Sequence, residues 1–411
     1  MLISRPDSAI ITPDAEQISV PCLFMRGGSS RGGFFLDTDL PPDPVERAAF
    51  LLAAYGSPDH RQIDGIGGAD PLTSKAAVVG RSTRPDADVD YTFYQVGIDR
   101  PQVSTGGNCG NMLAAVAPFA VLRGLVPAVE PETTVRIHTT NTGQVVVARM
   151  TVRNGRPSVD GDAAVPGVPG TGSPIQIDFG DCAGAVSGRL LPTGAATDRV
   201  QIGSRTIPVS LIDAATPFVF VHASDVGARG TESPAEILAD TRLMDDLEAV
   251  RGWAAVALGL VDKPERARTV TPNVPRVMMI AAPADYAGSE GPIAAADIDL
   301  CVRQLAMQKP HHTLAVTGAV CTAVAISVPG SIANRLAGRT SSRVRLGQPA
   351  GVLTVSAQID IELGGPVIRS ASVERTARLI MSGGVHVSTA RLEAHRGLLI
   401  EEVEAARDVT A

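Results

Sequence analysis

Strand-like runs dominate the chain, and the helical stretches are few and strongly apolar. From Ile18 the segments ISVPCLFM and GGFFLDTDL, separated by a Gly/Ser loop, predict two strands. DPVERAAFLLAAYG, residues 43–56, predicts a helix with Asp43 as its cap and Gly56 as its stop. AAVVGRS and VDYTFYQVGI follow as strands. NMLAAVAPFAVLRG, residues 111–124, reads as a buried helix bent near Pro118. TTVRIHTTNTGQVVVARMTV resembles two strands about Asn141-Thr142-Gly143. Residues 1–17 read as a polar, poorly ordered lead.

A Pro/Gly-rich loop at 165–174 precedes a second series. TIPVSLIDAATPFVFVHASDVG repeats the opening layout of strand, small-residue loop, strand and Asp. A helical block (SPAEILADTRLMDDLEAVRGWAAVALGL) comes next, then the strands VPRVMMIAAP and DIDLCVRQLAM. HHTLAVTGAVCTAVAIS reads as a loop entering a helix. Each half thus runs from strands to a small-residue turn and a buried apolar helix, a degenerate duplication of about 200 residues. The expected fold class is α+β: two pseudo-equivalent domains, each a sheet wrapped around a central helix. The expected boundaries are 18–190 and 191–385, with 386–411 a C-terminal segment open to returning to the first domain.

Composition narrows the function. At 411 residues the chain is too long for one ordinary domain. Aromatics at 3% and a net charge of −7 argue against nucleic acid and anionic membrane as partners. No apolar run is long enough to span a bilayer, and the start lacks a signal-peptide layout, so a cytoplasmic location is expected. Five cysteines without a CxxC pair exclude a disulfide framework and a zinc cage. Of the 36 basic residues only Lys75, Lys263 and Lys309 are lysines. Base composition accounts for most of that bias, but lysine can lose a proton where arginine cannot, so the lysines draw notice.

Four segments could carry chemistry. In MRGGSSRGG, residues 25–33, Arg26, Ser29 and Ser30 would offer cationic charge, hydroxyls and bare backbone to a carboxylate or phosphate. The plain alternative is a flexible hairpin loop. In DGIGGADPLTSKAA, Ser74 and Lys75 stand at the entry to an apolar strand. Burial there would favour the neutral amine a general base needs, although most lysines are merely exposed. In STGGNCGNM, Cys109 precedes an apolar helix whose N–H groups favour thiolate; Asn108, Gly110 and Asn111 surround it. The alternative is an inert buried thiol, against which Gly106, Gly107 and Gly110 argue. In KPHHTLAVTGAVCTA, Lys309 and His311 are candidate anion contacts, and Thr317, beside Gly318, could cap the second helix. Adjacent histidines lack metal geometry, so no metal is expected. Cys182, Cys301 and Cys321 read as structural.

Taken together and in this order, MRGGSSRG, IGGADPLTSK, NCGNM and KPHHTLAVTGAVCTA resemble the PrpF family of isomerases and tautomerases, which shares the diaminopimelate-epimerase fold. The resemblance runs from about Pro21 to the ERTAR segment at 374–378. It implies an active site in the cleft between the two domains. It also implies a proton shift in a small unsaturated carboxylate, with Lys75 as base and Cys109 beside it. Arg26, Ser29, Ser30, Ser74, Asn108, Gly110, Asn111, Lys309, His311, Thr317 and Gly318 would hold the substrate. No cofactor is implied, because the conjugated carbonyl is its own electron sink. QIDGIGGADPLTSK and GGFFLDTDLPPDPVER look closest to the 4-oxalomesaconate tautomerases of aromatic-acid breakdown. The alternatives are 2-methylaconitate cis-trans isomerisation in propionate breakdown and a non-enzymatic organic-acid binder. The epimerases' second cysteine maps to Ala315, which disfavours a two-thiol racemase. A homodimer is one assembly open to the chain.

Overall fold

The computed structural model describes residues 16–105, 108–180, 182–338, 342–363 and 365–408. Of the proposed lead at 1–17, residues 1–15 lie outside them, as do Gly106 and Gly107, while Gln17 already opens a strand. The chain forms two compact units. One draws on Met1–Ala163, Thr171–Ile175 and Arg375–Ala411, the other on Ala164–Gly170 and Gln176–Glu374. The chain thus enters the second unit ahead of residue 190 and is back in the first from Arg375.

In the first unit, Gln17–Gly27 pairs antiparallel with both Ala377–Ser388 and Ser30–Leu36. Ser30–Leu36 then pairs parallel with Lys75–Arg81, and Lys75–Arg81 antiparallel with Val89–Val96. Val89–Val96 pairs parallel with Glu132–Thr139, which turns back antiparallel into Gln144–Arg153. Parallel neighbours need a crossover. The helix Pro44–Tyr55 supplies the first: Asp43 accepts the Val45 and Glu46 N–H groups, Pro44 opens the helix, and Gly56 closes it at φ 69°.

Neighbouring strand residues point to opposite faces. Phe34 meets Phe119 at 5.8 Å between ring centroids, while Phe35 meets Phe50 of Pro44–Tyr55 edge-on at 5.7 Å. Both faces of this strand are therefore covered, which is why GGFFL is apolar without alternation. The apolar stretch after Cys109 is two helices, Gly110–Leu113 and Val116–Leu122, rather than one bent helix. Pro118 accounts for the break: it has no N–H to offer, and its ring crowds the carbonyl four residues earlier, at Ala114.

The second unit repeats the scheme. Arg205–Ala214 pairs antiparallel with Thr216–His222, that strand parallel with Arg276–Ala281, and that one antiparallel with Leu300–Ala306. Leu300–Ala306 is parallel to Arg343–Gln348, which turns back antiparallel into Gly351–Glu362. Both units follow the same order of pairings, so the expected duplication holds. The buried helix Val316–Ser327 fills the second crossover, where Gly110–Leu122 stands in the first unit. Beyond its central helix, each sheet packs a further helix. Leu243, Leu247 and Val250 of Thr241–Ala257 pack with Leu211, Val219, Val277 and Met279, as Phe50, Leu51 and Ala54 pack with Phe35, Ala76 and Val78.

Candidate active site

MRGGSSRGG is not a loose loop. Gly27 pairs with Ser30 across a two-residue turn, with Gly28 at φ 50°. Its glycines serve internal packing. A Cβ on Gly27 would overlap the Asn111 carbonyl, one on Gly28 the Asn111 side chain, and one on Gly32 the Lys75 carbonyl. The hairpin therefore lies directly on Asn111 and on the start of the Lys75 strand. Asn111 Nδ2 donates to Ser29 Oγ at 3.1 Å, and Arg375 Nε donates to Asn111 Oδ1 at 3.3 Å. Arg26 Nη1 donates to the carbonyls of Gly28, at 2.9 Å, and Thr376, at 3.0 Å. Burial first and the Arg378 charge second pull the Arg26 guanidinium below its ordinary pKa. Part of Arg26 is thus spent bracing the turn it was expected to arm.

Lys75 opens its strand beside Gly32 and is 8% exposed. It lies on the face of the sheet that carries Phe34, toward the helix after Cys109. Its Nζ is 3.3 Å from Ser30 Oγ and 3.4 Å from Cys109 Sγ, and 5.7 Å from the centre of the Phe93 ring. Among the described residues no carboxylate forms an ion pair with it. Hairpin, lysine strand and cysteine turn, far apart in sequence, meet at one amine. Cys109 is the cap residue of Gly110–Leu113, as the sequence implied. That helix is only four residues long, so its dipole is a weaker influence on the thiol than expected. The neighbouring amine is the closer partner. Burial pushes the Cys22 thiol up to about 12 and also raises Cys301 and Cys321, keeping them protonated.

Ser74 requires a correction. It is fully buried, donating to the Val96 carbonyl at 2.9 Å and accepting from Gln62 Nε2 at 2.7 Å. It anchors the start of the strand and exposes nothing to a ligand. Asn108 is partly buried, with a buried Oδ1 that has no hydrogen-bond partner among the described residues. Gly110 is buried at the first helical position.

In the second unit Lys309 is exposed and His311 partly so. The His311 ring turns into its own loop, Nδ1 accepting the Thr313 N–H at 3.1 Å. Thr317 is not the helix cap. Ala315 holds that position, and Thr317 is the second residue of the helix, 3% exposed. Gly318 sits where a Cβ would meet the Gln304 amide oxygen, which accepts the Ala315 N–H at 3.1 Å. Ala315 therefore occupies the cap position that Cys109 occupies in the first unit, as the mapping of the missing thiol required.

Several residues escaped the sequence reading. The Tyr55 hydroxyl donates to the Lys75 carbonyl and accepts the Gly33 N–H at 2.8 Å. A lone tyrosine in an otherwise apolar helix end was the available signal, since its buried hydroxyl needs a partner. Phe93 and Gln304 lay in runs that read simply as strand, and Arg375 in the ERTAR segment that closes the family resemblance. Among the described residues no cluster of His, Cys, Asp or Glu could hold a metal, and no helix is long and apolar enough to cross a membrane.

Comparison with known proteins identifies the family and the fold. The model of the PrpF protein family matches residues 17–388. The chain is 44% identical to 3-methylitaconate isomerase of Eubacterium barkeri, over 92% of this chain and all of that one. It is also 44% identical to the (4E)-oxalomesaconate Delta-isomerase of Novosphingobium sp. (strain KA1), over 91% of this chain and 99% of the relative. A solved structure of methylitaconate-delta-isomerase superposes with a TM-score of 0.81 at 43% identity, covering 92% of this chain and 98% of that one. A hydroxyproline epimerase from Agrobacterium vitis, 12% identical, matches with a TM-score of 0.52 over 90% of this chain and 93% of its own. That last likeness speaks to the fold alone, the α+β diaminopimelate-epimerase-like fold. The family match over residues 17–388 and relatives 44% identical across nine-tenths of the chain place it in the PrpF family, as an isomerase.

Proposed function

We propose that the protein moves a proton between carbons of a small unsaturated tricarboxylate, without a cofactor, and that its substrate is 4-oxalomesaconate. The observation that carries the reading is the buried Lys75 amine, 3.4 Å from Cys109 Sγ and 3.3 Å from Ser30 Oγ. Its neutral form accepts a proton from the carbon next to the conjugated system, leaving a dienolate. The resulting ammonium lies over the Phe93 ring, which favours a cation. The proton then returns two carbons away and the double bond has moved. Ser29, Ser30, Asn108 and the arginines about Thr376 are the first unit's candidates to hold carboxylates and the developing negative charge. A shift on one face needs no acid opposite, consistent with alanine rather than cysteine at position 315.

The equal likeness to 3-methylitaconate isomerase supports a second reading, the same chemistry on a methyl-substituted dicarboxylate. The deciding experiment incubates the protein in D₂O with 4-oxalomesaconate, 2-methylaconitate and 3-methylitaconate and follows each by proton NMR. Isomerisation and deuterium uptake only with 4-oxalomesaconate support the first reading. Turnover of another acid replaces it, and tight binding with neither signal sinks the mechanism.

A further inference from the structure

Between the helix Pro44–Tyr55 and the strand opening at Lys75, residues 56–74 form no helix or strand of their own. Two of them, Gln62 at φ 47° and Ala69 at φ 57°, hold the left-handed backbone that side chains disfavour. Such strain persists only where the surroundings over-determine it. Here one side chain does so. Gln62 is 1% exposed; its Nε2 donates to Ser57 Oγ at 2.9 Å and to Ser74 Oγ at 2.7 Å, and its Oε1 accepts the Ala69 N–H at 2.8 Å. Gly67 lies against this amide, where a Cβ would overlap it. Both amide protons and the oxygen are thus engaged. Ser74 passes the constraint to the sheet. Its Oγ donates to the Val96 carbonyl, and its own carbonyl accepts Val96 N–H at 3.1 Å and Gln95 Nε2 at 2.9 Å.

A turn that needed only left-handed backbone would be easier to make with glycine at position 62. Glycine would bring no amide. The strain is retained together with an amide that ties Ser57 and Ala69 to Ser74, the residue before Lys75. We propose that Gln62 is a positioning residue for Lys75: it fixes Ser74 and so the start of the strand, holding Nζ between Ser30 and Cys109. The inference rests on Lys75 acting as the base.

Three variants test it. Gln62→Gly relieves the backbone and removes the amide. Ser74→Ala keeps Gln62 and removes the hydroxyl that receives it. Ala69→Gly relieves the second strained residue and keeps its N–H. Gln62→Gly and Ser74→Ala should each lower kcat by about tenfold or more with KM little changed, as expected for a misplaced reacting group. They should also move the ascending limb of the pH–rate profile, and the double variant should lose no more than the worse single. Ala69→Gly should keep native kcat. With three lysines in the chain, ¹³C-lysine NMR follows Lys75 independently of turnover. Its signal should titrate at a different pH in the first two variants and not in the third. Native kcat and native Lys75 titration in folded Gln62→Gly and Ser74→Ala overturn the proposal, as does an equal loss in Ala69→Gly, which would mark loop stability alone. If the native protein turns over none of the acids, the proposed function fails, and the NMR titration still decides the positioning role.

Discussion

The two units share one order of strand pairings and differ at the positions where the first carries its chemistry. Lys75 sits opposite the third residue of its parallel partner strand, Gly32; in the second unit the same register pairs Phe218 with Arg276. Cys109 caps the first central helix and Ala315 the second. The strand position that carries Phe93 in one unit carries Gln304 in the other, by their pairing with the Lys75 and Arg276 strands. Arg276 is held by Asn273, with Nη2 3.0 Å from Oδ1, and a guanidinium cannot act as a base near neutral pH. Topology and chemistry are therefore separable here: the scaffold needs the pattern of parallel and antiparallel pairs, whereas proton transfer needs one amine and its neighbours.

Making the first unit more like the second is the strongest way to break this contrast. Lys75→Arg copies Arg276 and should lower kcat/KM nearly as far as Lys75→Met, by the 10²–10⁴-fold expected for losing a positioned acid–base group. Steady-state kinetics on whichever acid is turned over decide it. If the arginine variant is nearly native while methionine is inactive, Lys75 anchors a carboxylate and the base lies elsewhere, with Cys109 first in line.

Cys109→Ala copies Ala315. A fall on the order of 10²-fold, with Cys109→Ser similar or milder and the thermal transition retained, is expected of a lost acid–base partner. Full turnover in both would leave the thiol a packing role. The reverse change, Ala315→Cys, should give no racemisation of proline or diaminopimelate, measured by polarimetry. A second thiol without its surrounding shell has neither position nor proton partner.

Smaller effects sharpen the packing side of the comparison. Gly32→Ala should destabilise by about 1–3 kcal/mol in urea unfolding, because the new methyl overlaps the Lys75 carbonyl. The register-equivalent site in the second unit holds a phenylalanine without harm. Tyr55→Phe leaves the Lys75 carbonyl and Gly33 N–H without their shared hydroxyl and should cost about 1–3 kcal/mol. A stability equal to native would show that the hydroxyl bears nothing.

Local features were legible in the sequence. Asp43 and Gly56 marked a helix whose ends fall where they said, and runs such as VDYTFYQVGI and DIDLCVRQLAM fall on observed strands. Lys75 and Cys109 stood out because a lysine in an arginine-rich chain and a thiol among glycines are unusual for packing alone. What remained hidden depends on distant contacts. The glycines of the hairpin looked like room for a ligand and are room for Asn111 and Lys75. Thr317 looked like a cap, and the helix starts earlier, at Val316. Ser74 looked polar and available until Gln62 and the Val96 carbonyl were found to claim it. Gln62, which the sequence reading passed over, is left-handed and buried, which no local propensity signals.

The hairpin that carries Ser29 and Ser30 is fastened by residues encoded some 350 positions later. Gly28 N–H and Arg26 both donate to the Thr376 carbonyl, and Gln17–Gly27 takes Ala377–Ser388 as its outer partner. A ribosome delivers these pieces at opposite ends of its work. The second unit, whose segments are made in between, has nearly all its chain available first, while the earliest strand waits for its late neighbour. Domains generally fold as they emerge. In this chain, isomerase activity should arise only after nearly the whole polypeptide has been translated, and a nascent chain stalled before residue 377 should hold the Lys75–Cys109 pair in an unfinished hairpin.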